Sequence, residues 1–290
     1  MLKKRLIATL IVREGIVVQS INFRRYLPVG KPAIAIEFLN SWGIDEIVLI
    51  DITASKDHSR KKYDFIEEIT RKCFVPLTVG GGISSVDDIR ALLGFGADKI
   101  SVNSYCLAHP EFISEAAKIF GNQCIVVAID AVGSSPSDYR VYNAAKGAVM
   151  DVSPVDWARK AEAMGAGEIY ITSVDRDGSK KGFDLGLIDL VARSVKIPVI
   201  ASGGAGKSSD VLDVFCRTNA SAVSAANFFH FSEHSVIVTK SILRSKGVDI
   251  RLNTHADYEK SPFGDDFRLK KRSEAYLGDL LFERIEKEII

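Results

Sequence analysis

One aspartate ends an otherwise apolar run near the middle of the chain. Residues 125–130 read Ile-Val-Val-Ala-Ile-Asp, the pattern of a buried strand with a carboxylate at its carboxyl end. A carboxylate at the end of a strand that is otherwise buried is a good candidate for a general acid or base. Asp130 is therefore the first catalytic candidate, with a purely structural aspartate as the alternative interpretation.

Two glycine-rich segments share a second pattern. Residues 79–82 read Val-Gly-Gly-Gly and residues 201–204 read Ala-Ser-Gly-Gly, and each segment leads into a helix-like stretch. Glycine lets backbone amides approach an anion closely, and a helix N-terminus adds a favourable dipole. Each segment is followed by a short strand that ends in asparagine, Asn103 or Asn227. We therefore predict two phosphate sites rather than two simple tight turns, which suits a ligand with a phosphate at each end.

Positioning these groups requires a regular scaffold, and the chain alternates short β-branched runs with helix-like segments. The runs are apolar on both faces, as in a buried parallel sheet, and lie at 6–12, 46–51, 77–79, 99–102, 125–130, 169–172, 199–201 and 222–225. The helical patterns lie at 33–42, 63–73, 86–93, 111–120, 155–164, 187–194, 209–216 and 234–245. This alternation predicts an α/β fold, a (β/α)8 TIM barrel, with a doubly wound open sheet as the alternative.

The two halves of the chain resemble each other, which favours a barrel built from two half-barrels. Besides the glycine segments, the strand end Leu49-Ile50-Asp51 matches Ser173-Val174-Asp175, so Asp175 is read as the counterpart of Asp51. The same repeat predicts a partner for Asp130 at the end of the first strand, but Ile11 stands there. Asp51 ends a strand at the same mouth and is the candidate substitute for this missing carboxylate.

Charged residues begin four of the predicted strands. Strand starts collect at the mouth opposite the glycine segments, so these side chains could form a closed ring of salt bridges across the barrel floor, or remain solvated charges. They are Arg5, Glu46, Lys99 and Glu168.

Composition and length exclude several classes of function. The chain has 290 residues, 47% of them hydrophobic, and a net charge of +1, so we expect no nucleic-acid or membrane partner. The four cysteines lack metal-site spacing, and no apolar run is long enough to span a membrane, so a cytoplasmic protein without bound metal is expected. We assign 1–252 to the barrel and 253–290 to a C-terminal extension, with one amphipathic helix predicted from Ser273 to Ile290.

Several of these segments together resemble the cyclase subunit of imidazole glycerol phosphate synthase. The likeness covers about Leu2 to Leu252, and its most specific parts are Leu49–Ser55, Thr78–Ile83, Gly96–Asn103, Val126–Ala131, Ser173–Gly178 and Ala201–Lys207. The sister isomerase of the same pathway shares the fold and the repeat, but it matches the Asp-Arg-Asp-Gly segment at 175–178 less well.

The resemblance implies a lyase without a cofactor that receives ammonia from a glutaminase docked on the barrel floor. Ammonia would pass through the barrel and react with a phosphoribulosyl-formimino-carboxamide nucleotide at the other mouth. By the same resemblance one phosphate lies on Gly82, Asn103 and Ser104, and the other on Asp177, Gly178, Gly204, Ala226 and Asn227. Arg5, Glu46, Lys99 and Glu168 match the family's ammonia gate, Asp98 a docking residue, and Asp130 one of two catalytic aspartates.

Two departures from the family pattern concern the chemistry itself. Ile11 replaces the second catalytic aspartate, and Gln19 stands where the family usually has a lysine in the loop that covers the substrate. We therefore expect a divergent paralogue of the kind found in surface-polysaccharide gene sets, where a glutaminase and a separate synthetase convert an acetamido to an acetamidino group. The alternatives are a working cyclase in histidine biosynthesis and a non-catalytic scaffold.

Overall fold

The computed structural model of the protein describes residues 3–54, 64–230 and 234–252, together with the isolated positions 264, 265, 270, 273 and 275. Its strands are β1 (Arg5–Arg13), β2 (Ile16–Ile21), β3 (Arg25–Gly30), β4 (Glu46–Asp51), β5 (Leu77–Gly80), β6 (Lys99–Val102), β7 (Ile125–Val132), β8 (Arg140–Asn143), β9 (Ala148–Val149), β10 (Glu168–Ser173), β11 (Val199–Ser202) and β12 (Ala222–Ala225). Its helices are α1 (Pro32–Ser41), α2 (Asp64–Thr70), α3 (Val86–Gly94), α4 (Ser104–Ala108), α5 (Glu111–Phe120), α6 (Pro154–Ala163), α7 (Leu185–Ala192), α8 (Ser208–Arg217) and α9 (Ser235–Ser245).

Eight of the strands form a closed parallel barrel. The pairing runs from β1 through β4, β5, β6, β7, β10, β11 and β12, and β12 pairs with β1 again. Closure removes the free edges that an open sheet would have, so the predicted TIM barrel is confirmed and the doubly wound alternative is wrong. The predicted extension at 253–290, with its helix, lies outside the described residues except for the five isolated positions.

Two β-hairpins interrupt the simple strand–helix alternation, and the sequence interpretation missed both. The hairpin of β2 and β3 follows β1, and the small hairpin of β8 and β9 follows β7. Glu14 and Gly15 have φ values of 53° and 79°, the left-handed pair that a tight hairpin turn requires, so β1 turns back on itself at this point. Because β1 and β7 occupy opposite positions in the ring, the two hairpins extend the half-barrel repeat.

The core has two layers that follow from the alternation of side chains along each strand. One face of the strands packs against the surrounding helices, and the other fills the inside of the barrel. The inner layer consists of Ile7, Val48, Val126, Tyr170, Ile200 and Ala222, all buried. No helix in the described part of the chain is both long and apolar enough to cross a membrane.

A buried ion pair ties the last helix to the loop that precedes β4. The Lys240 side chain on α9 is 1% exposed, and its Nζ donates to Asp45 Oδ1 and to the Gly43 carbonyl, each at 2.6 Å. Asp45 also accepts from the Leu6 amide at 2.8 Å. Burial lowers the pKa of Lys240 and raises that of Asp45, so both groups are strongly desolvated.

We expect Lys240→Met to destabilise the barrel by about 3–5 kcal/mol, because it leaves the Asp45 carboxylate buried without its counter-charge. Urea denaturation followed by circular dichroism measures this loss. The double variant Lys240→Met/Asp45→Asn is the control, since it removes both charges and should recover much of the stability. A loss below about 1 kcal/mol in the single variant would contradict the assigned role.

Candidate active site

Asp130 lies at the C-terminal mouth of the barrel with its carboxylate almost fully buried. Its side chain is on β7, and Asn103 Nδ2 donates to Asp130 Oδ2 at 2.8 Å. Thr172, its register partner on β10, also hydrogen-bonds the carboxylate. Burial is the main cause that raises the pKa of Asp130 to about 7. The hydrogen bond from Asn103 lowers this pKa, and the negative charge of Asp177 raises it. A carboxylate that titrates near neutral pH can both accept and donate a proton, so Asp130 fits general acid/base chemistry.

The position that faces Asp130 across the mouth carries a hydrocarbon side chain. In the closed ring β1 and β7 are four strands apart in either direction, so Ile11 and Asp130 belong to opposite walls. Ile11 pairs with Ile50 on β4 and with Val18 on β2. These three side chains are hydrocarbon, and none of them could transfer a proton.

Asp51 accepts hydrogen bonds from the loop that follows it. Its Oδ1 accepts from the amides of Thr53 at 2.8 Å and Ala54 at 3.2 Å, which stabilises the turn that follows β4. One of the two carboxylate oxygens of Asp51, the candidate substitute for the missing aspartate, therefore already serves as a turn acceptor.

The sequence pairing of Asp51 with Asp175 is wrong by two residues. Both β4 and β10 begin with a floor glutamate, and they end at Asp51 and Ser173, so Ser173 is the structural counterpart of Asp51. Asp175 lies beyond the strand end in a short 3-10 turn, where its Oδ2 accepts from the Gly133 amide at 2.9 Å.

The two glycine segments have matching left-handed backbones at the same mouth. The φ values are 113° and 66° at Gly81 and Gly82, and 92° and 107° at Gly203 and Gly204. A Cβ on Gly81 would collide with the Asp51 carbonyl, and one on Gly203 would lie 2.6 Å from the Ser173 carbonyl. Each pair is thus pressed against the end of the preceding barrel strand, the same arrangement in both halves. The segments lead into α3 and α8, and the two amides directly before each helix donate to Asp88 or to Asp210.

We expect Gly203→Ala to lower the free energy of unfolding by about 1–3 kcal/mol, because the new Cβ meets a backbone carbonyl in a left-handed conformation. Gly94→Ala is the matched control, since the structure leaves open space there. Chemical denaturation of both variants checks the difference, and equal stabilities would contradict the close approach seen here.

Two of the residues predicted to bind the second phosphate have side chains that hydrogen-bond the β2–β3 hairpin. Asn227 Nδ2 donates to the Ser20 carbonyl at 2.6 Å, and Asn227 Oδ1 accepts from the Ser20 amide at 3.1 Å. Asp177 Oδ2 accepts from the Ser20 hydroxyl at 2.7 Å, and burial raises the pKa of Asp177. Gly178, with φ of 66°, lies against the Ser20 carbonyl as well. A phosphate at this site would therefore bind to backbone amides, or it would bind to these side chains after the hairpin has moved.

Ser20 was not singled out in the sequence, because a serine in a β-branched run gives no signal of its own. It follows Gln19 on β2, and the hairpin register pairs Gln19 with Leu27.

On the other half of the mouth, the Asn103 amide group turns towards Asp130, and Ser104 begins the short helix α4. Ala226 lies between β12 and Asn227.

The four floor charges form the closed ring that the sequence allowed. Arg5 Nη1 lies 2.7 Å from Glu46 Oε1 and 3.1 Å from Glu168 Oε1. Lys99 Nζ lies 3.2 Å from Glu46 Oε2 and 2.9 Å from Glu168 Oε1. Burial alone would lower the pKa of Arg5, but the two carboxylates outweigh it and raise the pKa. Each anion thus bridges both cations, and the ring closes the floor. Beside it, exposed Asp98 accepts from the Leu77 amide through Oδ2 at 2.8 Å.

Between the floor ring and Asp130, the barrel interior changes from apolar to hydroxyl-lined. Above the apolar layer, Tyr170 Oη lies 2.8 Å from Thr9 Oγ1, 3.0 Å from Ser202 Oγ and 3.1 Å from Ser224 Oγ. Thr9 and Ser224 are themselves 2.6 Å apart. This hydroxyl cluster gives a small neutral molecule hydrogen-bonding partners at mid-barrel.

Comparisons with known proteins agree with this arrangement. The family model described as histidine biosynthesis protein matches residues 5–235. A Vibrio vulnificus protein, provisionally named imidazole glycerol phosphate synthase subunit hisF2, is 44% identical over 89% of this chain and 95% of its own length. The imidazole glycerol phosphate synthase subunits HisF of Bacillus cereus and Streptococcus mutans are 45% and 42% identical, each over 87% of this chain and 100% of their own length. The chain therefore belongs to the histidine biosynthesis protein family and, within it, to the HisF cyclase subunits of imidazole glycerol phosphate synthase.

Proposed function

We propose that this chain receives ammonia from a glutaminase docked on its floor and passes it through the barrel to Asp130, while its own cyclisation step is slow. The observation that carries the proposal is the contrast between the two mouths. The floor keeps a complete ring of Arg5, Glu46, Lys99 and Glu168, whereas the catalytic mouth has Asp130 opposite Ile11.

The route between the mouths supports transfer of a neutral molecule. The ring at the floor pairs its two cations with its two anions, so it is neutral overall and offers no net attraction to ammonium. The apolar layer disfavours any ion, since desolvation of a charge in such surroundings is costly. The hydroxyl cluster of Thr9, Tyr170, Ser202 and Ser224 offers hydrogen bonds before the molecule reaches Asp130. Ammonia satisfies all three conditions.

The slow step follows from the chemistry of the missing residue. Loss of one general acid or base costs about 10²–10⁴-fold in rate, and Ile11 has no proton to give or accept. We infer a divergent paralogue in which ammonia reaches another acceptor, such as a sugar acetamido group handled by a separate synthetase in surface-polysaccharide synthesis. The phosphate sites would then serve a phosphorylated ligand that controls occupancy of the mouth.

The second candidate is a working cyclase in histidine biosynthesis. It is favoured by the full-length identity to HisF subunits of Bacillus and Streptococcus and by the retained Asp130, Asn103 and glycine segments. Cyclisation measured with free ammonium and the phosphoribulosyl-formimino-carboxamide nucleotide separates the two. Turnover comparable to that of the Bacillus cereus relative, assayed in parallel, would establish the second candidate and overturn the first.

Docking of a glutaminase at the floor is tested with a substitution that removes the charge of Asp98. Asp98→Asn keeps an oxygen for the Leu77 amide but removes the exposed charge, so we expect weaker association with a HisH-type glutaminase by calorimetry. Glu14→Gln, at the exposed turn of the opposite mouth, is the control and should leave the affinity unchanged. A scaffold that never binds a glutaminase would show no association in any of the three proteins.

A further inference from the structure

Helix α1 presents a stripe of large apolar side chains on the outside of the barrel. Ile34 is 53% exposed and Phe38 is 55% exposed, although the other face of the helix is buried in the core. Trp42, directly after the helix, is partly buried, and its ring centroid lies 5.9 Å from that of Phe38. The three residues are spaced by four, so they form one row along a helix, here called the α1 stripe.

The α1 stripe continues towards the start of α9. The Trp42 ring lies 6.3 Å from the His234 ring, the residue that precedes α9. The stripe thus lines one side of the junction between the first and last helices of the ring.

The described part of the barrel ends at this same junction. The Lys4 amide donates to the Asp249 carbonyl at 2.8 Å, and Arg244 Nη1 donates to the Ile250 carbonyl at 3.3 Å, which holds the chain end beside β1 and α9. Arg251 acts electrostatically on both Asp45 and Lys240, so it lies near the loop that begins at Trp42. The C-terminal extension therefore leaves the barrel next to the floor end of α1.

Two of the relatives lack this additional length. The HisF subunits of Bacillus cereus and Streptococcus mutans align over their entire length yet cover 87% of this chain. The matched family region ends at residue 235, so the additional residues lie on the C-terminal side.

The extension has an apolar row of its own with the same spacing. Leu277, Leu281, Ile285 and Ile289 are spaced by four, which forms one row if the segment from Ser273 to Ile290 is helical. Rows of this spacing on two helices interdigitate in the commonest helix–helix packing. The same segment is acidic, with five acidic and two basic residues, while the end of α9 exposes Arg244 and Lys246.

We propose that residues 273–290 form a helix that docks on the α1 stripe of their own chain and covers Ile34 and Phe38. Residues 253–272 provide a tether that, at about 3.3 Å per residue, is long enough to reach any part of α1. A tethered segment has an effective concentration in the millimolar range, so it occupies the stripe in preference to a second copy of the chain.

The test uses the full-length chain and hydrogen–deuterium exchange of the peptide that contains α1. Leu281→Asn places a polar group in the apolar row, and Glu283→Asn places the same residue on the opposite side of the segment. We expect exchange of the α1 amides to become at least about tenfold faster in Leu281→Asn and to stay unchanged in Glu283→Asn.

The reciprocal variants change the barrel instead of the extension. Phe38→Asn should increase proteolytic cleavage within residues 253–290, whereas Ile119→Asn, at a similarly exposed apolar position on α5, should not. Unchanged α1 exchange in Leu281→Asn together with unchanged cleavage in Phe38→Asn would overturn the proposal. Protection of α1 that grows with protein concentration, or that arises only when a glutaminase is added, would assign the stripe to a second copy or to that partner and would overturn it equally.

Discussion

Replacing Ile11 by aspartate should raise the rate of cyclisation with free ammonium by about 10²–10⁴-fold. The change restores a carboxylate on β1 opposite Asp130 on β7, so that one group can accept a proton while the other donates one. The neighbours of Ile11 in the strand register are Val18 and Ile50, both hydrocarbon, so the new carboxylate faces the mouth rather than a polar partner in these strands.

Steady-state kinetics with the phosphoribulosyl-formimino-carboxamide nucleotide measures this gain. Ile11→Asn is the matched control, because it has the shape and polarity of aspartate without its acid–base chemistry. An equal gain in both variants would show that polarity or space limits the native reaction, and a gain in neither would show that Ile11 is not the reason for slow turnover.

Asp130→Asn should abolish most of the remaining cyclisation and, at the same time, stabilise the fold at alkaline pH. Burial raises the pKa of Asp130 to about 7, so the folded chain holds this proton more tightly than the unfolded chain does. Stability therefore falls as pH rises from about 4 to about 7, where the carboxylate ionises in its buried site. Asparagine has no such ionisation and keeps an oxygen to accept from Asn103.

Denaturation at pH 4 and at pH 8 checks the stability effect. We expect Asp130→Asn to be more stable than the native chain at pH 8 and to show little advantage at pH 4, where the native carboxyl group is protonated in the folded chain and still partly protonated in the unfolded chain. Asp138→Asn, an exposed position in the loop after β7, is the control. A stability difference independent of pH would contradict the assigned titration.

The fold could be predicted from the sequence because its signals are periodic and repeated. Buried parallel strands produce apolar runs, and the half-barrel repeat places similar glycine segments and floor charges at similar positions in both halves. The hairpin after β1 was missed because Ile16–Ile21 alternates too weakly to separate from the first strand. The signal that could have revealed it is the Glu14-Gly15 pair directly before this run.

The site was predicted less completely, since residue type does not show which way a side chain turns. Asn227 and Asp177 stand where phosphate ligands were expected, yet their side chains hydrogen-bond Ser20 on the hairpin. Asp175 was paired with Asp51 by matching residue types, whereas counting along each strand from its first glutamate makes Ser173 the counterpart of Asp51. A shift of two residues keeps a side chain on the same face of a strand, so the alternation of residue types along the sequence does not reveal it.

Isotope transfer tests the central claim, that ammonia travels inside the barrel, most directly. The chain and a HisH-type glutaminase would be supplied with glutamine labelled with ¹⁵N in its amide and with an excess of unlabelled ammonium. The cyclised product would be analysed by mass spectrometry, for the native chain and for Ile11→Asp. If ammonia passes from the ring of floor charges to Asp130, the product is enriched in ¹⁵N despite the excess of unlabelled ammonium. Product with the isotope ratio of the bulk solution would show that ammonia reaches the mouth from outside.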